Sequence, residues 1–341
     1  MVQQVHHKVR LGLFITSAVV FLLPFLAGAQ SLDGSIGNMN GDAFSVSVNP
    51  QYPAPYEQAT VSLLSGSVDL ANAIITAVVG GKEIYKGSAR PFSIKLGKAG
   101  SVTGVKVTVS YGGTNYNQEL SIQPQDVVLV AEPLSSSPPL YPGKPHVPLE
   151  GSVRVVAIAN LKDAGGKTSS PSTYSYSWTV DGMQIANSSG IGKSTVIVAS
   201  PLQYRVREVS VVVTNVLGGL VGGAELSLTA VEPSMRVYEN DSLLGIRYER
   251  AISGSFAINS AETTLYAAPF SLPTTNGAPS VQWFLNGSPA QAGNFITLRP
   301  TGSGRGNASL SVTSSAGDYA RTAAELSISF GDAAAANFFG L

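Results

Sequence analysis

The chain contains no cysteine, which removes disulfides, thiolate nucleophiles, Cys-ligated zinc and iron–sulfur clusters together. It is poor in histidine, with three in 341 residues, and His6 and His7 both lie in the N-terminal segment. A site needing two imidazoles cannot be assembled from the remaining His146. Charge is sparse at 12%, and 21 basic residues balance 21 acidic ones. A neutral chain has no electrostatic footprint for DNA, RNA or an anionic bilayer, so no nucleic-acid partner is expected. What abounds is apolar and turn-forming: 44% hydrophobic residues, 36 Gly and 20 Pro. That content supplies cores for two or three domains and excludes global disorder.

Residues 1–29 read as a secretory signal peptide. Lys8 and Arg10 precede an apolar run from Leu11 to Leu26, and the small residues Ala27-Gly28-Ala29 precede Gln30. The run contains Pro24 and falls short of the roughly 20 residues that span a bilayer. The expected product is secreted or held at the cell surface, with no stable membrane span after cleavage. Without disulfides it relies on burial alone, so each domain needs its own core.

The chain repeats itself. Alternating strands recur at Val105–Ser110, Val209–Thr214 and Ala308–Thr313, and each precedes a second strand that ends alike: Glu119-Leu120-Ser121-Ile122, Glu225-Leu226-Ser227-Leu228 and Glu325-Leu326-Ser327-Ile328. Alternation at period two marks strands with one buried face. Upstream, Tyr176-Ser177-Trp178-Thr179-Val180-Asp181-Gly182 and Val281-Gln282-Trp283-Phe284-Leu285-Asn286-Gly287 each run an aromatic strand into a turn dipeptide that tolerates positive φ. The first copy has Ala77-Val78-Val79-Gly80-Gly81 there, with Ala77 in place of tryptophan. The glutamates are spaced by 106 and 100 residues, so the period is one domain rather than one solenoid rung.

This pattern predicts an all-β protein of three tandem Ig-like sandwiches, with Trp178 and Trp283 as core residues between facing sheets. The chain resembles the disulfide-free bacterial Ig-like and polycystic-kidney-disease-type (PKD-like) domains, whose Tyr-x-Trp or Gln-Trp strand implies that pinning role. Over nearly its full length it is also similar to a family of secreted proteins from small-genome, candidate-phylum bacteria, through the segments Asn49–Pro55 and Ser242–Glu249. That resemblance brings no activity and no site. The expected limits are a leader at 30–42, domains at 43–123, 124–231 and 232–331, and a tail at 332–341. Pro124 and Glu232-Pro233 punctuate the junctions, and links this short restrict the angle between neighbours, as in a semi-rigid rod.

Motifs for chemistry fail on context. Gly190-Ile191-Gly192-Lys193-Ser194-Thr195 evokes a phosphate loop, but Asn187 replaces its first glycine and a strand follows where a helix is required. Gly302-Ser303-Gly304-Arg305-Gly306 lacks the last glycine of a dinucleotide fingerprint, since Asn307 stands there. Asn38–Asp42 echoes a calcium loop, yet Ile36 and Ser47 hold its end positions. Calcium between modules would have to use Glu132, Glu239 or Asp241. His146 sits in a proline-stiffened loop and would need a nucleophile and an acid. Glu239, Asp241 and Glu249 could supply paired carboxylates, but nothing in the sequence gives them an apolar setting. No catalytic residue, cofactor or metal is expected.

Two insertions hold the candidate partner contacts. One carries Pro138-Pro139-Leu140-Tyr141-Pro142-Gly143; the other follows Tyr238 as Asn240-Asp241-Ser242-Leu243-Leu244-Gly245-Ile246-Arg247-Tyr248. Tyr141, Tyr238, Asp241, Leu243, Leu244, Arg247 and Tyr248 combine apolar area with directional polarity, as contact surfaces do. Two uses stand open: packing on their own or the preceding sandwich, or contact with an external protein or surface glycan. The tail, with Phe338-Phe339, could dock or fold back. The expected role is a non-enzymatic structural, adhesion or surface-assembly protein, with glycan binding as the alternative and a carboxylate-dependent hydrolase behind it.

Overall fold

The computed structural model describes residues 43–217, 219–301 and 305–331. The expected signal peptide, leader and tail lie outside the described residues, as do 302–304 of the glycine-rich turn.

Seven strands come first: β1 (Phe44–Asn49), β2 (Gln58–Ser65), β3 (Ile74–Val79), β4 (Lys82–Gly87), β5 (Phe92–Lys95), β6 (Thr103–Tyr111) and β7 (Thr114–Ile122). They form the sheets β1-β2-β5 and β4-β3-β6-β7. Next come β8 (Asp126–Pro133), β9 (Ser152–Asn160), β10 (Tyr174–Val180), β11 (Met183–Gln184), β12 (Gly190–Ile191), β13 (Thr195–Ala199), β14 (Val206–Asn215) and β15 (Val221–Thr229). Here β13-β9-β8 faces β11-β10-β14-β15, with β12 added on β10. The last set is β16 (Ser234–Asp241), β17 (Gly245–Ile246), β18 (Gly254–Ile258), β19 (Thr263–Phe270), β20 (Ser280–Leu285), β21 (Ser288–Ala292), β22 (Phe295–Leu298), β23 (Gly306–Ala316) and β24 (Ala320–Phe330). Its sheets are β17-β16-β19-β22 and β18-β24-β23-β20-β21.

Among the described residues, each pair of sheets encloses its own apolar cluster. The chain is thus all-β, a tandem of Ig-like sandwiches. The repeats agree in register: Ala77 faces Val107, Trp178 faces Val211 and Trp283 faces Val312. On the far side of those partners stand Gln118, Ala224 and Ala324, each one residue before the recurring glutamate.

Both indoles are fully buried. Each is also anchored by its polar edge, since Trp178 Nε1 donates to Lys193 O at 2.8 Å and Trp283 Nε1 to Gly293 O at 3.0 Å. A buried N–H needs such a partner. The first core carries Phe44 and Phe92 instead, with Tyr85 stacked on Phe92 at 5.2 Å. The turns after these strands have positive φ at both central residues, 49° and 79° at Asp181-Gly182 and 49° and 80° at Asn286-Gly287. That is the type I′ geometry whose twist suits a two-residue hairpin. The Asx side chain adds a stitch: Asp181 Oδ1 accepts from Glu208 N at 3.0 Å, and Asn286 Oδ1 from Ser309 N at 2.9 Å.

The first and second sandwiches meet around Lys162. Gln123 Nε2, bonded to Gly100 O at 2.9 Å within the first, also reaches Lys162 O of the second at 3.5 Å, and the Gly100 backbone lies against the backbone of Lys162 and Asp163. At the junction, buried Gln125 holds the Lys162 backbone in place within the second sandwich, donating to its carbonyl at 2.9 Å and accepting from its N–H at 2.7 Å. The ring of Tyr52 lies so close to Gly223 that a β-carbon there would come within 2.6 Å of it.

Candidate functional site

Strands β16 and β19 alternate between two different environments. Val237, Leu265 and Ala267 enter the core, whereas Tyr238, Tyr266, Ala268 and Phe270 point to the opposite face and form a second buried cluster. A sheet with apolar residues on both faces needs a cover. The two insertions provide it together. Tyr248 packs edge-on to Tyr238 at 5.2 Å and to Tyr266 at 6.3 Å, Phe295 lies 4.9 Å from Tyr266, and Tyr141 meets Phe270 edge-on at 5.2 Å. Arg236 stands over Phe270 at 5.5 Å, within cation–π range.

The Tyr141 segment is sewn down by its backbone. Ser136 N donates to Leu272 O at 2.7 Å, Ser271 N to Ser136 O at 3.0 Å, and Thr274 N to Leu134 O at 2.9 Å. His146 Nδ1 lies 3.3 Å from the Ser271 hydroxyl, and Ser135 Oγ donates to His146 O at 2.6 Å. Ser271 is 1% exposed, so its hydroxyl faces no substrate and the His–Ser pair serves the contact. Further along, Glu150 Oε1 accepts from Tyr319 N at 3.0 Å.

Burial pushes the Tyr266 phenol up to about 12, with Tyr248 adding to the rise. An acid whose folded pKa is raised stabilises the fold below its unfolded value, near 10, and loses that contribution as pH climbs toward 12. Alkaline unfolding should therefore set in above about pH 10, and Tyr266→Phe should flatten that limb in a pH series of thermal melts. An unchanged limb would place the titration elsewhere.

Beyond the cluster, the β16–β17 hairpin projects a tip. The Asp241 carboxylate accepts from Leu244 N at 2.9 Å and Leu243 N at 2.8 Å, which fixes the turn and holds the carboxyl below its ordinary range. Leu243 and Leu244 are left 93% and 73% exposed. Arg247 pairs with Glu249, which lowers that carboxyl as well. Neither acid has the raised pKa that a proton-donating carboxyl requires.

The seven candidate contacts thus fall into two groups. Tyr141, Tyr238 and Tyr248 belong to the aromatic cover, and Tyr238, only 4% exposed, lies beneath Tyr248 and anchors the cluster rather than meeting an outside partner. Asp241, Leu243, Leu244 and Arg247 belong to the hairpin and its base. Tyr266, Phe270 and Phe295 escaped the sequence reading. For Tyr266 and Phe270 the signal was the unbroken apolar run from Leu265 to Phe270, which departs from alternation because both faces are buried; Phe295, on β22, carried none.

Other motifs have structural uses. Gly190-Ile191 is the short strand β12, Lys193 Nζ donates to Asn187 O at 2.7 Å, and Lys193 O receives the Trp178 indole. Glu132 pairs with Arg154, and among the described residues no three His, Asp or Glu side chains converge on a cation position. On the other sheet of the third sandwich lies an open concavity of about 710 Å³ lined by Ser280, Gln282, Thr313, Ser315, Gly317 and Arg321. No helix among the described residues is long and apolar enough to cross a membrane.

No family model matches the chain, and no curated protein does. Solved structures with similar successions of sandwiches include three N-terminal domains of the bacteriophage RB49 highly immunogenic outer capsid protein, at 13% identity and a TM-score of 0.24, covering 85% of this chain and 99% of that one. The central fibronectin-III array of RIM-binding protein matches at 9% identity and a TM-score of 0.28, over 87% of this chain and 100% of that one. The fibronectin(III)-like modules of Clostridium thermocellum CbhA match at 11% identity and 0.23, over 58% and 94%. Likenesses of this size carry no activity or partner to this chain.

Proposed function

We propose that this is an exported, non-enzymatic structural or adhesion protein of a surface assembly, in which tandem sandwiches at 43–123, 124–231 and 232–331 hold the 241–245 hairpin tip out to a protein partner. One observation carries the reading: two leucines stand in solvent on a turn that Asp241 fixes, while the aromatic residues of both insertions are consumed in packing. Exposed apolar side chains on a fixed turn can bind without first being ordered, which lowers the entropic cost of association. The segment at 1–29, and the likeness of Ser242–Glu249 to secreted proteins of candidate-phylum bacteria, belong with this reading.

Immobilised full-length chain, incubated with cell-surface extract, is expected to retain a partner that the Leu243→Ser, Leu244→Ser double variant loses by tenfold or more, with thermal stability unchanged. Equal retention would remove the tip from the function.

A second reading, glycan binding, has one observation behind it. The hydroxyl- and amide-lined concavity carries Arg321, and exposed Tyr319 lies two residues away in sequence. A glycan panel probed with wild type and Arg321→Ala would reveal it through hits that only the wild type gives.

A further inference from the structure

One outward row of residues can be followed through all three sandwiches. It crosses each sheet one position after Val107, Val211 and Val312, and it reads Thr76, Thr108, Asn117 in the first sandwich, Ser177, Val212, Gly223 in the second, and Gln282, Thr313, Ala323 in the third. The first sandwich closes the row itself, since Thr108 Oγ1 donates to Asn117 Oδ1 at 2.7 Å. The second has no side chain at Gly223, and the ring of Tyr52, from the segment between β1 and β2, fills that place. The third has only the methyl group of Ala323 there, with another at Ala292 opposite Gln282. The segment between β8 and β9, counterpart of the one that carries Tyr52, sends Tyr141 to Phe270 on the opposite sheet instead. The concavity of about 710 Å³ is what remains when neither device is used, and its volume is that of a small-molecule site.

The groups around it keep bonding capacity. Ala323 offers Thr313 no partner of the kind that Asn117 gives Thr108. Gln282 spends its amide N–H groups on Trp283 O at 2.9 Å and Gln291 O at 3.1 Å, which leaves its carbonyl free to accept. Arg321 Nη2 makes a long contact to Asp318 O at 3.4 Å, so most of the guanidinium fork remains to donate. Between the lining residues Gly317 and Arg321 stands Tyr319, 86% exposed, on a turn that Glu150 of the second sandwich holds through Tyr319 N at 3.0 Å. A held turn lowers the cost of ordering the ring on an occupant. Donor, acceptor, hydroxyl and a free aromatic face together match the alternating hydroxyls and C–H faces of a sugar. Charge narrows the class further. Arg321 shares the rim with two acids, Asp318 and Glu150, so nothing there favours an anion.

We infer that the outer face of β20-β23-β24 binds a short neutral oligosaccharide in this hollow, with Tyr319 as the stacking platform. The inference rests on the glycan-binding reading and gives it a place and a ligand class.

A panel of immobilised neutral and acidic short oligosaccharides, followed by isothermal titration of the full chain with each hit, tests this. Neutral sugars should bind, and added salt should leave their affinity unchanged, because no charge is neutralised. Ala323→Asn installs the residue of the first sandwich, engages Thr313, and should abolish binding without lowering thermal stability. Tyr319→Ala keeps the backbone bond to Glu150 and should weaken binding at least tenfold. Asn117→Ala, in the corresponding row of the first sandwich, should leave it unchanged. Neutral hits that Arg321→Ala removes but Ala323→Asn and Tyr319→Ala do not would overturn this assignment and leave the glycan reading standing. Hits confined to acidic sugars would overturn the ligand class, and a panel without hits would overturn both the inference and the reading beneath it.

Discussion

Trp283→Ala is expected to cost the third sandwich about 3–5 kcal/mol, the range for removing a buried large aromatic side chain. The indole is fully enclosed between the sheets, and its loss also removes the hydrogen bond that ties it to Gly293 O. Trp178→Ala should act alike in the second sandwich through Lys193 O. Trp283→Phe retains most of the apolar contact and should cost less. Far-UV circular dichroism during urea unfolding would register the change as one transition moving to lower denaturant. A shift under about 1 kcal/mol would mean that the ring does not fill the core. Ala77 holds the corresponding register position in the first sandwich, where Phe92 and Tyr85 supply the aromatic bulk.

Gly100→Ala should uncouple the first sandwich from the second. Gly100 has φ +82°, and an added β-carbon would stand 2.3 Å from Asp163 O and 2.8 Å from Lys162 O. Both obstacles are backbone, so neither can rotate away. The left-handed conformation adds roughly 1–2 kcal/mol for a residue with a side chain. The least costly relief is for the 97–101 turn to withdraw from the 162–163 loop, which parts Gln123 Nε2 from Lys162 O and uncovers the Gln125 clasp on Lys162. Amide exchange at Lys162 should quicken at least tenfold, while exchange within β10 and β14 stays slow. Unchanged protection at Lys162 would show that the two sandwiches do not depend on this approach.

Much of the frame was legible because β-sandwich physics is written locally. Period-two alternation marked the strands, Asp181-Gly182 and Asn286-Gly287 marked the turns, and the in-register recurrence of Trp178 and Trp283 marked the domain period. The paired use of the two insertions was not legible. Tyr141 and Phe270 are 129 residues apart in sequence, and nothing local says that one covers the other. The insertions left two uses open, packing on the chain or contact with a partner, and the structure divides them: most of their aromatic area is spent on the chain itself, and the Asp241 turn leaves Leu243 and Leu244 outside. Strand β19 carried a usable signal, since six consecutive residues from Leu265 to Phe270 without a charge or hydroxyl beyond the Tyr266 phenol do not fit a sheet with one face in water.

The account rests on rigid sandwiches whose interiors are closed, so that only loop tips and outer faces meet other molecules. Acrylamide quenching of tryptophan fluorescence tests this most directly, because Trp178 and Trp283 are the chain's two tryptophans and report on two different interiors. The predicted result is a quenching constant many-fold below that of free tryptophan, rising to the free value only in denaturant. A native-state constant close to that of free tryptophan would put the indoles in contact with solvent and contradict the account.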